Sequence, residues 1–132
     1  MTRVFKSAVI QEQLTVDELK GIEGDFRSYK ETGILPETFG RDELYDHPST
    51  LPSVRQEEIS HVHLSDGDTP WPVHKIQFQR TSDTHLVYCQ GALNDDCFLL
   101  MVILAPNAHE LARKRDQMWK LAEMAEKFRD QF

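Results

Sequence analysis

Cysteine is scarce, with only Cys89 and Cys97 in 132 residues, too few for a disulfide framework. The pair flanks a polar turn, and in a cytosolic protein both read as reduced thiols. Long apolar runs are missing too. None approaches the roughly 18–20 residues that cross a bilayer, so no membrane contact is expected. The first residues, MTRVFKSAVIQEQL, lack the continuous apolar segment of a secretory signal, which points to a cytoplasmic location.

A basic surplus is also absent. Net charge is −7, and residues 1–72 carry 7 Lys+Arg against 14 Asp+Glu, while residues 73–132 carry 8 of each sign. A protein that grips nucleic acid through phosphate contacts alone carries a basic surplus, so unaided affinity for nucleic acid is expected to be modest. There is no Gly-rich phosphate loop, no Cys-x-x-Cys zinc pair, no Gly-x-Ser-x-Gly elbow and no internal repeat.

What is present suits one domain over 1–132, long enough to bury a core. The organising stretch is Lys75 to Pro106. Ile76 and Phe78 alternate with Lys75, Gln77 and Gln79, the period of a half-buried strand. Leu86 to Cys89 follows as a second strand and Gly91 to Asp96 as a turn. Phe98 to Leu104 is an uninterrupted apolar run, read as a central strand buried on both faces.

Arg3 to Ile10 alternates as a strand, and Thr15-x-x-Glu18 is a capping box opening a helix. Val16, Leu19, Ile22, Phe26 and Tyr29 give that helix one apolar stripe, and Gly33 is placed to cap it. Phe39 to Asp46 reads as a second, short helix stopped by Pro48, with loop over 47–56. Ile59 to Ser65 is a strand, with Val62 and Leu64 on one face and Ile59, His61 and His63 on the other. Residues 66–72 form an exposed connector. The C-terminus reads as one long helix, N-capped by Asn107, with Leu111, Met118, Leu121, Ala125, Phe128 and Phe132 in its stripe. The order β-α-α-β-β-β-α argues for an α+β fold with a small antiparallel sheet, N-terminal helices and a long C-terminal helix.

Several residues could carry chemistry. His61 and His63, two apart on one strand face, can address one phosphate or one metal. They read equally well as ordinary histidines at a sheet rim. A metal needs a third ligand from elsewhere, His85 or Asp83, and no metal or other cofactor is expected. Arg80 is placed either to hold a phosphate by bidentate contacts or to pair with Asp83. His85 and Tyr88 fall on opposite faces of a regular strand, so at most one shares the face of Arg80 unless a bulge intervenes. Tyr88 fits the core with a bonded hydroxyl as well as it fits a site. On the last helix, His109, Arg113 and Gln117 recur every four residues, as a solvated face or a phosphate-contacting edge.

Residues spread through nearly the whole chain resemble the YafO family of bacterial type II toxins. They include Arg3-Val4-Phe5-Lys6, Leu35-Pro36, Phe39-Gly40-Arg41-Asp42, Leu44-Tyr45-Asp46 and His61-Val62-His63-Leu64. The match continues through Gln77-Phe78, Arg80-Thr81 and His85 to Ala92. It ends with His109, Leu111-Ala112-Arg113, Gln117-Met118, Met124-Ala125-Glu126, Phe128-Arg129 and Phe132. The resemblance implies a RelE-like fold and a ribosome-dependent mRNA interferase with a cognate antitoxin, the ribosome and mRNA as partners. It implies acid/base and phosphate-binding groups on the central strands, where His61, His63, Arg80, His85 and Tyr88 lie. His109, Arg113 and Gln117 are the matching candidates for contacts to RNA or ribosome. RelE-like toxins are usually basic, and the charge of −7 departs from that pattern. A ribosome that presents the substrate would let free affinity stay low.

The leading expectation is thus a metal-independent endoribonuclease that cleaves translated mRNA. The alternatives are a non-catalytic protein-binding module using the acidic N-terminal half, and a histidine-based metal enzyme.

Overall fold

Ser7 ends the first strand and starts the first helix: its hydroxyl accepts from the Ile10 amide at 3.1 Å and donates to the Met101 carbonyl at 2.6 Å. The strand expected over 3–10 therefore stops early, as β1 (Arg3–Lys6) followed by α1 (Ala8–Gln13). The computed structural model describes residues 1–65 and 69–132. The connector expected over 66–72 lies partly outside these. Its described end is tied down by Trp71, whose indole donates to the Thr38 carbonyl at 3.1 Å.

α2 (Val16–Thr32) has the expected ends. Thr15 and Glu18 exchange both hydrogen bonds of the capping box, and Gly33 closes the helix in the left-handed conformation at φ 74°. The remaining elements are β2 (Phe39–Leu44), α3 (Pro52–Gln56), β3 (Ser60–Leu64), β4 (His85–Gln90), β5 (Cys97–Leu104), α4 (Ala108–Leu111) and α5 (Arg115–Gln131). The five strands form one sheet in the order β1-β5-β4-β3-β2.

The sheet is mixed, because β1 runs parallel to β5 while all other pairs are antiparallel. The expectation of a purely antiparallel sheet is corrected on this point. α1 and α2 carry the chain from β1 to β2 at the opposite edge, and the antiparallel succession β2-β3-β4-β5 then brings β5 alongside β1 in the same direction. Ile10 and Phe26 pack on one face with Val62, Leu86, Tyr88, Phe98 and Leu100. α5 covers the other face, burying Met118, Leu121, Ala125 and Phe128 against Val87, Cys89, Met101 and Leu104. β5 is buried on both faces as its apolar run implies. A register shift opposite Val87 and Tyr88 restarts its alternation, so Met101 and Val102 both join the α5 side.

Further expectations are corrected. Phe39 to Leu44 is an edge strand rather than a helix. Phe39 is buried opposite Leu64, and Gly40 leaves no room for a Cβ against the Arg80 carbonyl. Residues 75–79 are not a strand: Gln77–Gln79 is a 3-10 turn, with Ile76 and Phe78 62% and 65% exposed. Arg80 curls this segment by donating from Nε back to the Lys75 carbonyl at 2.9 Å, and Arg41 caps the Phe78 ring at 3.9 Å. Finally, the C-terminal helix is broken into α4 and α5 around residues 112–114. Asn107 precedes α4 in the left-handed region at φ 60° and gives no side-chain cap. The loop expected over 47–56 also contains α3, which starts at Pro52, a residue that suits a first helical turn.

Candidate active site

Strand alternation places His61 and His63 on the α5 side of β3, and the antiparallel register sets His85 of β4 directly opposite His63. The rings converge. Centroids lie 4.4 Å apart for His61–His85 and for His63–His85, and 5.3 Å for His61–His63. α4 adds a fourth imidazole: His109 is 5.3 Å from His85 and 6.1 Å from His63. It is held there because the Ala108 amide donates to the Asp83 carbonyl at 3.0 Å, while His109 Nε2 stands 3.7 Å from Asp83 Oδ1.

Each inner ring has a fixed neighbour. Tyr45 stacks on His61 at 4.0 Å with an interplanar angle of 15°, and its hydroxyl meets His85 Nδ1 at 2.9 Å. His63 Nδ1 lies between the Ser82 amide at 2.8 Å and the Ser82 carbonyl at 3.1 Å. The outer nitrogens of His63 and His85 are therefore tied, and their Nε2 atoms remain for other work.

Burial governs the electrostatics. It pushes His61 down to about 3 and His85 down to about 2, reinforced by the neighbouring imidazoles. Burial also lowers His63, with the Ser82 backbone pulling the other way. His61 and His85 are neutral at physiological pH, and so strong a depression makes them weak bases, unsuited to proton transfer. Burial raises the Tyr45 hydroxyl, which stays protonated.

These groups line a cleft of about 840 Å³, together with Arg41, Arg113 and Arg115 on its walls. Glu43 and Asp46 are the acidic residues in that lining. Cationic side chains thus gather in one concavity of a chain whose net charge is −7.

A family model described as toxin YafO of type II toxin–antitoxin systems matches residues 27–130. The mRNA interferase toxin YafO of Escherichia coli (strain K12) is 49% identical over 131 residues, covering 98% of this chain and 99% of that one. The chain belongs to the YafO toxin family. No solved structure matches it.

In this YafO-family chain the expected site residues divide. His61, His63 and His85 come together, and His109 and Arg113 join the same cleft. Arg80 does not. It is buried against β2, donating from Nη1 to the Phe39 carbonyl at 3.3 Å as well as to Lys75, and Asp83 faces His109 instead. Tyr88 points to the opposite face, where its hydroxyl donates to Asp42 at 2.6 Å and accepts from Lys30 at 3.0 Å. Gln117 lies on α5 past the helix break and lines a separate groove with Val9, Val102 and Leu121.

Sequence reasoning missed Tyr45 and Arg41, because both sit on or beside β2, which reads locally as a helix. Only the pairing of Glu43 with His61 brings that edge of the sheet to the histidines.

Proposed function

We propose that this chain is an mRNA interferase that cleaves translated mRNA on the ribosome and is neutralised in the cytoplasm by a cognate antitoxin. The observation that carries the reading is the clustering of His61, His63, His85 and His109 beside three arginines in one cleft. The 49% identical relative named mRNA interferase toxin supports it.

The chemistry is metal-independent transfer at a phosphodiester. Proton abstraction from a ribose 2′-OH falls to His63 Nε2 in the neutral tautomer that carries its proton on Nδ1, towards the Ser82 carbonyl at 3.1 Å. The 2′-oxygen attacks the adjacent phosphorus, a P–O2′ bond forms and the P–O5′ bond breaks. The leaving 5′-oxygen takes a proton from His109, the exposed imidazole beside Asp83. Arg113, Arg41 and Arg115 stabilise the charge that grows on the phosphate oxygens. His85 and Tyr45 hold the floor of the site, and Arg80 and Tyr88 act as positioning residues that fix β2 and the reverse face of β4.

Ribosome dependence fits the charge, because a chain with a surplus of acids and a cationic cleft gains from having its substrate presented. A RelE-like fold over residues 1–132 is part of the reading. Its support is the helical pair α1 and α2 ahead of the other strands and the C-terminal α5 over the sheet.

The test is induction in bacteria with mRNA ends mapped by primer extension. New 5′ ends inside translated frames, lost in His63→Ala and His109→Ala, are expected. A toxic protein that leaves no new ends would mark a binding module instead.

A further inference from the structure

We propose that His61, His63 and His85 form a three-imidazole site for a divalent transition metal ion, zinc in the first instance, at the floor of the cleft. One ring nitrogen from each lies within 4.8 Å of the other two. Two observations set this trio apart from histidines that merely pack together. His61 Nδ1 and His85 Nε2 are buried and have no hydrogen-bond partner among the described residues, although His85 is only 1% exposed. Buried polar nitrogens are almost always satisfied, and two left open on rings packed together call for a partner. The nitrogens on the far side of two rings are tied, His85 Nδ1 to the Tyr45 hydroxyl and His63 Nδ1 to the Ser82 backbone. That outer-shell arrangement orients metal-binding imidazoles.

The donor set selects the ion. Three neutral nitrogens suit zinc, cobalt, nickel or copper, whereas magnesium and calcium require oxygen ligands. His85, tied at Nδ1 to the Tyr45 hydroxyl, turns Nε2 inward, while His63 Nδ1 faces both the Ser82 amide and the Ser82 carbonyl, and zinc at Nε2 selects the tautomer whose Nδ1 proton points to that carbonyl. The Zn–N bond of about 2.0–2.1 Å draws the three nitrogens well inside the 4.8 Å that now bounds their separation, and the fourth position of zinc is left for water or an anion. Rigid neighbouring strands supply all three ligands, and the one-to-one register of His63 with His85 sets the spacing.

Loading has a consequence. The ion takes the His63 lone pair that abstracts the 2′-OH proton, so zinc occupancy and cleavage exclude one another. This part rests on the proposed function; metal binding itself does not.

The experiment uses full-length protein stripped with chelator and dialysed. Titration with zinc chloride by calorimetry should show one ion per chain, and cobalt(II) should give the visible bands of a four-coordinate site. His61→Ala and His85→Ala should each weaken zinc at least 100-fold, while His74→Ala leaves it unchanged. Zinc X-ray absorption of the wild-type protein gives a reading independent of variant folding, and three imidazoles in the first shell are expected. No saturable zinc, affinity unaltered in folded His85→Ala, or fewer than two imidazoles would overturn the site. In ribosome-programmed cleavage, one equivalent of zinc should silence the protein and a zinc-selective chelator restore it. Undiminished cleavage by the loaded protein would overturn the exclusion. A protein that binds zinc yet never cleaves mRNA, loaded or stripped, would overturn the proposed function and leave the metal site standing.

Discussion

The Tyr45 hydroxyl and His85 Nδ1 meet at 2.9 Å, joining the end of β2 to the start of β4 across the intervening strand. Tyr45→Phe removes one partner and leaves a buried ring nitrogen unpaired. The expected loss of stability is about 1–3 kcal/mol, read as a lower melting temperature. Cleavage should fall as well, because His85 packs against His63. Unchanged melting would mean that the bond contributes nothing to the fold.

His63→Ala and His109→Ala separate base from acid. Loss of a general acid or base commonly costs ~10²–10⁴ in rate, and both variants should reach that range in ribosome-programmed cleavage assays. His109 is exposed, so its variant should melt like the wild type. Full activity in His109→Ala would send the search for the acid to another cleft residue.

The buried histidines make stability depend on pH in a defined sense. In the folded, metal-free protein His61 titrates at about 3 and His85 at about 2, below the ordinary histidine value. The unfolded chain therefore binds more protons below about pH 6.5, and stability falls as pH drops from there towards the folded values. Between pH 7 and 5 the loss should reach up to about 2 kcal/mol for each imidazole kept neutral. Denaturant melts across that window check it, and His85→Gln should flatten the slope. A stability that holds level from pH 7 to 5 would contradict the burial of these rings.

Arg80→Ala should act through the fold. The guanidinium satisfies the carbonyls of Lys75 and Phe39, and its loss is expected to cost about 1–3 kcal/mol, with toxicity falling in step with melting temperature. An Arg80→Ala protein that melts normally and is non-toxic would put Arg80 back on the phosphate. Gly40→Ala should destabilise the same corner, since its new Cβ meets the Arg80 backbone.

Local patterns determined α2, β3, β4, β5 and the apolar stripe of α5. Capping residues, alternation and an apolar run are properties of neighbours in sequence, and the chain obeys them. The spread of YafO-like residues was legible in the same way, as was the shared face of His61 and His63. What only the tertiary structure decided depends on partners far along the chain. Phe39 to Leu44 becomes a strand because β3 offers it an edge and Arg80 fills the space beside Gly40. Ile76 and Phe78 alternate like a strand, yet residues 75–79 are a turn held by Arg80 and Arg41. The helix break at 112–114 leaves His109 and Arg113 in the cleft and carries Gln117 out of it. His85 completes the histidine group through strand register, which pairs residues 22 positions apart and is set by the whole sheet. Spacing along one strand could show two histidines; the third, and the cleft around them, required the fold.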